Sequence, residues 1–116
     1  MEQAMERVMD KIRKFRDERD WKQFHDPKNL AVSISVEAAE LLELFQWRNG
    51  EEAFRHAAEN RERVSEEIAD VAIYLLELVD VLGLDLEKVI EDKLEKNAKK
   101  YPVEKSKGRI TKYTEL

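Results

Sequence analysis

The sequence predicts an all-α, four-helix-bundle-type subunit. Three observations carry that expectation. Apolar residues recur at helical spacing along most of the chain, charged residues make up 41% of it, and only 3 Gly and 2 Pro interrupt it. A turn-rich β fold needs many more of the last two. With 116 residues, the chain is long enough for one compact domain with a modest core.

The first predicted helix runs from about Glu2 to Arg19, with Met5, Val8, Met9, Ile12 and Phe15 at helical spacing. The stretch DWKQFHDP breaks the pattern. Asp26 before Pro27 reads as an N-cap followed by proline at the first helical position, so a second helix extends from about Pro27 to Arg48. Asn49-Gly50 is its stop signal. The polar stretch EEAFRHAAENRER reads equally as a short helix or as a loop. A third helix, about Arg61 to Leu82, contains IADVAIYLLELVDVL and ends at Gly83. Asp85 caps a fourth, which fades near Lys100, just before Tyr101-Pro102. The expected organisation is one domain over residues 1–102 and a C-terminal tail over 103–116 with little core of its own.

The third helix is apolar over more than one stripe: Ile68, Val71, Leu75, Val79 and Leu82 on one side, with Tyr74, Leu78 and Val81 beside them. The plain reading is the central helix of a four-helix bundle. The surplus favours self-association as a homodimer or homotetramer, because a monomer of this size needs only one apolar face per helix.

Composition also excludes chemistries. The absence of cysteine rules out disulfides, zinc–thiolate sites, iron–sulfur clusters and thiol catalysis. A net charge of -5 argues against a nucleic-acid polymer as partner. No apolar run reaches the roughly 18 residues of a membrane span, and the first residues lack a signal-peptide core. The expectation is a cytoplasmic protein with no membrane partner.

The informative residues are acids in the wrong place. On a helix, Leu30, Ile34, Leu41 and Leu44 fall within roughly 60° of Glu37, and Glu40 sits on the neighbouring ridge. The third long helix repeats the arrangement with Glu67 and Asp70, Glu67 lying among Val71, Tyr74 and Leu78. Each pair is spaced i, i+3 and projects from one face. Antiparallel packing of the two helices would bring four carboxylates together, which a dry interior does not tolerate unpaired. A divalent cation resolves the conflict. Oxygen-only ligands suit Mg²⁺, with Mn²⁺ as a substitute. A di-iron site needs Glu-x-x-His on two helices, and neither His25 nor His56 stands in one. The plainer alternative for such pairs is a solvated, ion-paired helix face.

Mg²⁺ held by carboxylates commonly completes its shell with water and substrate phosphates. On the fourth helix, Lys93 and Asn97 stand one turn apart and can present a cation and an amide to a phosphate, while Lys96, Lys99 and Lys100 add positive charge. Trp21, Trp47 and Tyr74 are aromatics that can stack on a base, though such rings more often serve a core.

The segments ERDWKQFHDPKNLAVSISVEAAELLELFQW, EEIADVAIYLLELVDVLGLDL, KLEKNAKKYP and KYTEL resemble the MazG-like all-α nucleotide pyrophosphohydrolases, with the dCTP pyrophosphatase branch nearest. The likeness runs from about Ile12 to Leu116, and the E-x-x-E then E-x-x-D hallmark is matched by Glu37, Glu40, Glu67 and Asp70. It implies metal-dependent hydrolysis of a nucleoside triphosphate to the monophosphate and pyrophosphate, dCTP or a related pyrimidine deoxynucleotide being favoured, in the service of nucleotide-pool sanitation. The four acids match the metal ligands, with Glu40 and Glu67 as the candidates for orienting the attacking water. Lys93 and Asn97 match phosphate or sugar contacts. Trp21, Trp47 and Tyr74 match the base pocket, and His25 falls in the matching QFH-x-P-x-NL segment. Relatives often carry glycine inside the first acidic motif, where this chain has Ala38-Ala39. The alternative from another class is a non-catalytic helical module that binds nucleotide or a protein partner.

Overall fold

The computed structural model describes residues 2–116; residue 1, where the expected domain begins, lies outside the described residues. The helices are α1 (Glu2–Glu18), α2 (Pro27–Glu43), α3 (Glu51–Glu59), α4 (Arg61–Leu82), α5 (Leu86–Lys100) and α6 (Val103–Ser106), with 3-10 turns at Lys22–Phe24 and Tyr113–Glu115. Among the described residues there is no strand, and no helix is long and apolar enough to cross a membrane. The helices form two compact units that divide between Gly83 and Leu84.

In the first unit, α1 ends in a Schellman motif built on Asp20 rather than glycine. Asp20 takes a left-handed φ of 53°, its N–H donates to the Asp17 carbonyl at 3.1 Å, and the Trp21 N–H donates to the Arg16 carbonyl at 3.0 Å. The hydrophobic contact that accompanies this motif is here Phe15 against Trp21, edge-on at 5.7 Å. The helix terminus thus sets where Trp21 stands. Asp26 then caps α2 by accepting from the Asn29 N–H at 2.7 Å, and the Asn29 side chain donates to the Phe24 carbonyl at 3.0 Å, tying the 3-10 turn to the new helix.

The second helix ends at Glu43, five residues before the expected Arg48. Over the next residues the backbone bonds tighten to i→i−3, with Leu44 donating to Leu41, Phe45 to Leu42 and Arg48 to Phe45. This tighter turn carries Phe45 edge-on to His56 at 6.0 Å. The polar stretch left open between loop and helix is helical: α3 starts after Gly50, whose positive φ of 52° no β-branched residue would accept. The third long helix keeps the expected bounds and stops at Gly83 in the left-handed conformation.

The packing of this unit is dominated by α2 against α4, with α1 and α3 also on α4. Met9, Ile12 and Leu30 are its buried apolar residues. The inner side of α4 carries a continuous polar row. Glu67, Asp70, Tyr74, Glu77 and Asp80 follow one another at spacings of three or four, all partly or fully buried. By contrast Ile68, Leu75 and Leu82, from the predicted apolar stripe, are each close to half exposed. Asp80 fastens α1 to α4: it accepts from Arg13 Nε and from Arg16 Nη1, both at 2.9 Å. Arg16 is only 3% exposed and also donates to Asp17 at 2.9 Å.

In the second unit Asp85 caps α5 by accepting from the Lys88 N–H at 3.2 Å. The segment expected to be a tail is partly ordered on itself. Tyr113 packs edge-on to Tyr101 at 5.9 Å, and the Lys100 ammonium lies 4.8 Å from the Tyr113 ring centroid.

The fork on Asp80 gives the fold prediction. Replacing Asp80 by Ala leaves the buried Arg16 short of a charge partner and should cost about 2 to 3 kcal/mol, toward the low end for a broken buried pair because Arg13 is partly solvated. Urea denaturation of wild type and variant measures it; a loss under about 0.5 kcal/mol, the scale of a surface substitution, would reduce the fork to a surface ion pair.

Candidate metal-binding and active site

Antiparallel packing of α2 and α4 follows from their pairings. His25, just before α2, meets Glu77, whereas Glu37, three turns later, meets Glu67 and Asp70 near the start of α4. One carboxylate oxygen from each of Glu37, Glu67 and Asp70 lies within 4.8 Å of the other two. Glu40 is exposed, yet its nearby carboxyl group acts on both glutamates.

The electrostatics are those of a site built against itself. Burial, then the adjacent Glu40 carboxyl, then the charges of Asp70 and Glu67, push the Glu37 carboxyl up to about 6. Burial and the charges of Glu40 and Asp70 raise Glu67 as well, with Arg63 opposing them. Glu37 Oε2 and Glu67 Oε2 are buried and have no hydrogen-bond partner among the described residues. Two orphaned acceptor atoms on converging acids are what a cation with several oxygen ligands needs, so the residues fit a hard divalent ion.

Beside Glu67 a cleft of about 440 Å³ opens at the first turn of α4, lined in part by Asn60, Arg61, Arg63 and Glu66. Its arginines bring positive charge to the edge of an acidic site. They sit at the polar start of the third predicted long helix, where no charge pattern singled them out.

A second cluster lies farther along the same seam. Trp21, His25 and Tyr74 follow one another with ring centroids 6.4 Å apart at each step. Burial raises the Tyr74 hydroxyl, and the charges of Glu37, Glu77 and Asp70 add to it, so Tyr74 stands between the acid cluster and Glu77. Of the other candidates, Trp47 is 81% exposed, just past α2. Lys93 is exposed and Asn97 half-buried, both on α5 of the second unit. The structure therefore gathers Glu37, Glu40, Glu67 and Asp70 into one group and Trp21, His25 and Tyr74 into another, and it leaves Trp47 in solvent.

Glu77, Asp80 and Arg16 went unnoticed in the sequence. The spacing that could have found them is simple: Glu77 and Asp80 continue the Glu67, Asp70, Tyr74 register at three and six residues beyond Tyr74.

A family model described as MazG-like matches residues 32–116. The dCTP pyrophosphatase 1 of Bos taurus is 43% identical over 104 residues, 88% of this chain and 62% of that protein. The Homo sapiens protein of the same name is 40% identical over 104 residues, 88% of this chain and 61% of its own length. The chain thus spans less than two thirds of the length of the curated relatives it matches. A crystal structure of a pyrophosphatase from Archaeoglobus fulgidus DSM 4304 aligns with a TM-score of 0.82 at 51% identity, covering 85% of this chain and 93% of that one.

The raised carboxyls make stability depend on pH in a definite direction. A carboxyl raised on folding favours the fold while protonated, a contribution present below its ordinary 4.5 and lost as pH rises through about 6 for Glu37. In chelator, the melting temperature should therefore fall between about pH 5 and pH 7.5. Glu37→Gln should flatten that fall, and a divalent cation should offset it in wild type but less in the variant. Circular dichroism melts with and without the cation measure this. A wild-type profile that Glu37→Gln leaves unchanged would contradict the electrostatic account.

Proposed function

The chain belongs to the MazG-like family, and we propose from that premise that it hydrolyses a nucleoside triphosphate to the monophosphate and pyrophosphate. The observation that carries the proposal is the convergence of Glu37, Glu67 and Asp70, with two buried oxygens left unpaired, across the α2–α4 seam. An idle helical module has no physical reason to keep acids that desolvation and mutual repulsion make costly.

In this reading Glu37, Glu40, Glu67 and Asp70 hold Mg²⁺, with Mn²⁺ as substitute. When bound, the ion supplies charge neutralisation at the phosphates and a more acidic water. The chain supplies the rest. Glu37 and Asp70 present ligand oxygens from opposite helices. Glu40, on the solvent side, and Glu67, through Oε2, are the carboxylates placed to orient a water and accept its proton. Lys93 and Asn97 keep the phosphate or sugar contacts that their match to the family implies. Trp21 and Tyr74 form the base-binding surface within the chain, and Trp47, at the opposite end of α2, serves the site of a neighbouring copy. Likeness to the dCTP pyrophosphatases makes dCTP or a related pyrimidine deoxynucleotide the favoured substrate. The role fits a cytoplasmic enzyme of nucleotide-pool sanitation.

We also assign the exposed stripe Ile68, Leu75 and Leu82 to contact with a second copy of the chain, in a homodimer or homotetramer. Burying a side chain of this kind stabilises by about 1.5 to 3 kcal/mol, and a stripe this regular is unusual on a lone soluble subunit.

Three measurements test the proposal. Incubation with each NTP and dNTP, with and without Mg²⁺, should yield monophosphate and pyrophosphate in the presence of metal. Diphosphate plus orthophosphate, or turnover indifferent to chelator, would sink it, and binding without turnover would favour the idle module. Glu37→Gln should cut turnover by orders of magnitude while the apo protein stays folded, and Trp21→Ala should raise KM about tenfold if the ring stacks on the base. Light scattering should find a dimer or tetramer, and Leu75→Asp should shift it toward monomer; a monomeric wild type would refute the assembly.

A further inference from the structure

Glu77 is the one acid of the α4 seam that neither the proposed metal site nor the Asp80 fork uses. It is 3% exposed, its Oε2 is buried, and it has no hydrogen-bond partner among the described residues. The same is true of His25 Nδ1. These two orphaned atoms face each other at 3.5 Å, slightly longer than a formed hydrogen bond. A buried acceptor and a buried ring nitrogen do not remain unmade at that separation without a cost comparable to the bond itself. A small rotation of either side chain closes the gap. The charged groups around Glu77 are few: Arg16 from α1, Asp80 one turn along α4, and His25 from the connection before α2. Arg16 directs its hydrogen bonds to Asp17 and Asp80, and the group paired with Glu77 is His25.

The pair matters because of what the ring touches. His25 lies between Trp21 and Tyr74, each centroid 6.4 Å away. Trp21 in turn is fixed by the end of α1, and Tyr74 stands one turn before Glu77 on the same helix. The imidazole therefore joins two aromatic side chains from separate elements, and its orientation about χ2 is decided by which nitrogen Glu77 holds.

We propose that Glu77 is a positioning residue: it accepts a hydrogen bond from His25 Nδ1–H and thereby fixes the aromatic wall Trp21–His25–Tyr74. With Nδ1 committed as donor, a neutral ring keeps Nε2 as an acceptor. The consequence for nucleotide binding rests on the functional reading above, in which this wall receives the base. Glu77 then acts on substrate affinity through His25 while touching neither phosphate nor metal ligand.

The tautomer tests the pair directly, without any turnover. Long-range ¹H–¹⁵N correlation of the imidazoles, with His56→Gln to assign the two histidines, should show Nδ1 of His25 protonated in wild type. A bare Nδ1 with the proton on Nε2 overturns the proposal. Glu77→Leu should abolish that preference and move the Trp21 indole and Tyr74 ring resonances. Glu77→Gln keeps an acceptor oxygen and should leave all three near wild type. In kinetics, Glu77→Leu should raise nucleotide KM about tenfold, the scale of one lost buried hydrogen bond, with kcat changed less than about twofold, and Glu77→Gln should restore KM. Equal KM in wild type and Glu77→Leu, or equal damage in both variants, overturns the positioning role. If the leucine variant fails to fold, the tautomer and the glutamine variant decide. A wild-type chain that hydrolyses no nucleotide overturns the function instead, and the tautomer and ring shifts still decide the pair.

Discussion

Negative charge along the inner side of α4 is the constraint on which the rest of the structure depends. Glu67, Asp70, Glu77 and Asp80 are set at helical spacing on the side that packs against α1 and α2, and each must be compensated or kept protonated. Compensation is graded along the helix. Burial pushes the Asp80 carboxyl up, but the hydrogen bonds and charges of Arg13 and Arg16 outweigh it and hold the group below the usual carboxylate range. Glu77, raised by burial and by the charge of Asp80, is opposed by His25 and the charge of Arg16. At the other end, Glu37, Glu40, Glu67 and Asp70 face one another, with Arg63 the one positive group acting on Glu67. The chain neutralises its own charge at one end of the seam and at the other gathers acids that could hold a cation.

That gradient relates stability to function. The end with arginines ties α1 to α4 and holds the frame. The other end, where Arg63 only partly opposes the repulsion, carries Glu37 and Glu67 raised by burial and neighbouring carboxylates, a pattern that concentrates at working sites because it serves chemistry at the expense of the fold. Tyr74 and His25 lie between the two, so the aromatic group is supported by the neutralised half while bordering the acidic half.

The same polar seam explains the small apolar core. With five polar residues on the inner face of α4, part of its apolar surface turns outward, and Ile68, Leu75 and Leu82 stay about half exposed. The sequence showed an excess of apolar residues on this helix, and the structure shows which of them the chain leaves uncovered. Self-association is the proposal that accounts for both.

Much of this was legible from residue order alone, since local rules act within a turn or two. Asp26-Pro27 and Gly83 mark helix ends whatever lies around them, and the paired i, i+3 acids share a face on any helix. Other features depended on partners distant in sequence. The early end of α2 goes with the packing of Phe45 on His56, and the ordered stretch near Tyr113 with its contact to Tyr101. Arg16 reads as a surface residue of α1 until Asp80, 64 positions away, accepts its hydrogen bond. Glu77 reads as one more charge on a charge-rich helix until antiparallel packing of α2 and α4 sets it against His25. Sequence by itself determined the four long helices, save the end of α2, and which acids share a helix face, because period and capping are local. Only the tertiary structure decided which acids are neutralised and which converge without a cationic partner among the described residues, because desolvation and pairing energies exist only once distant helices meet.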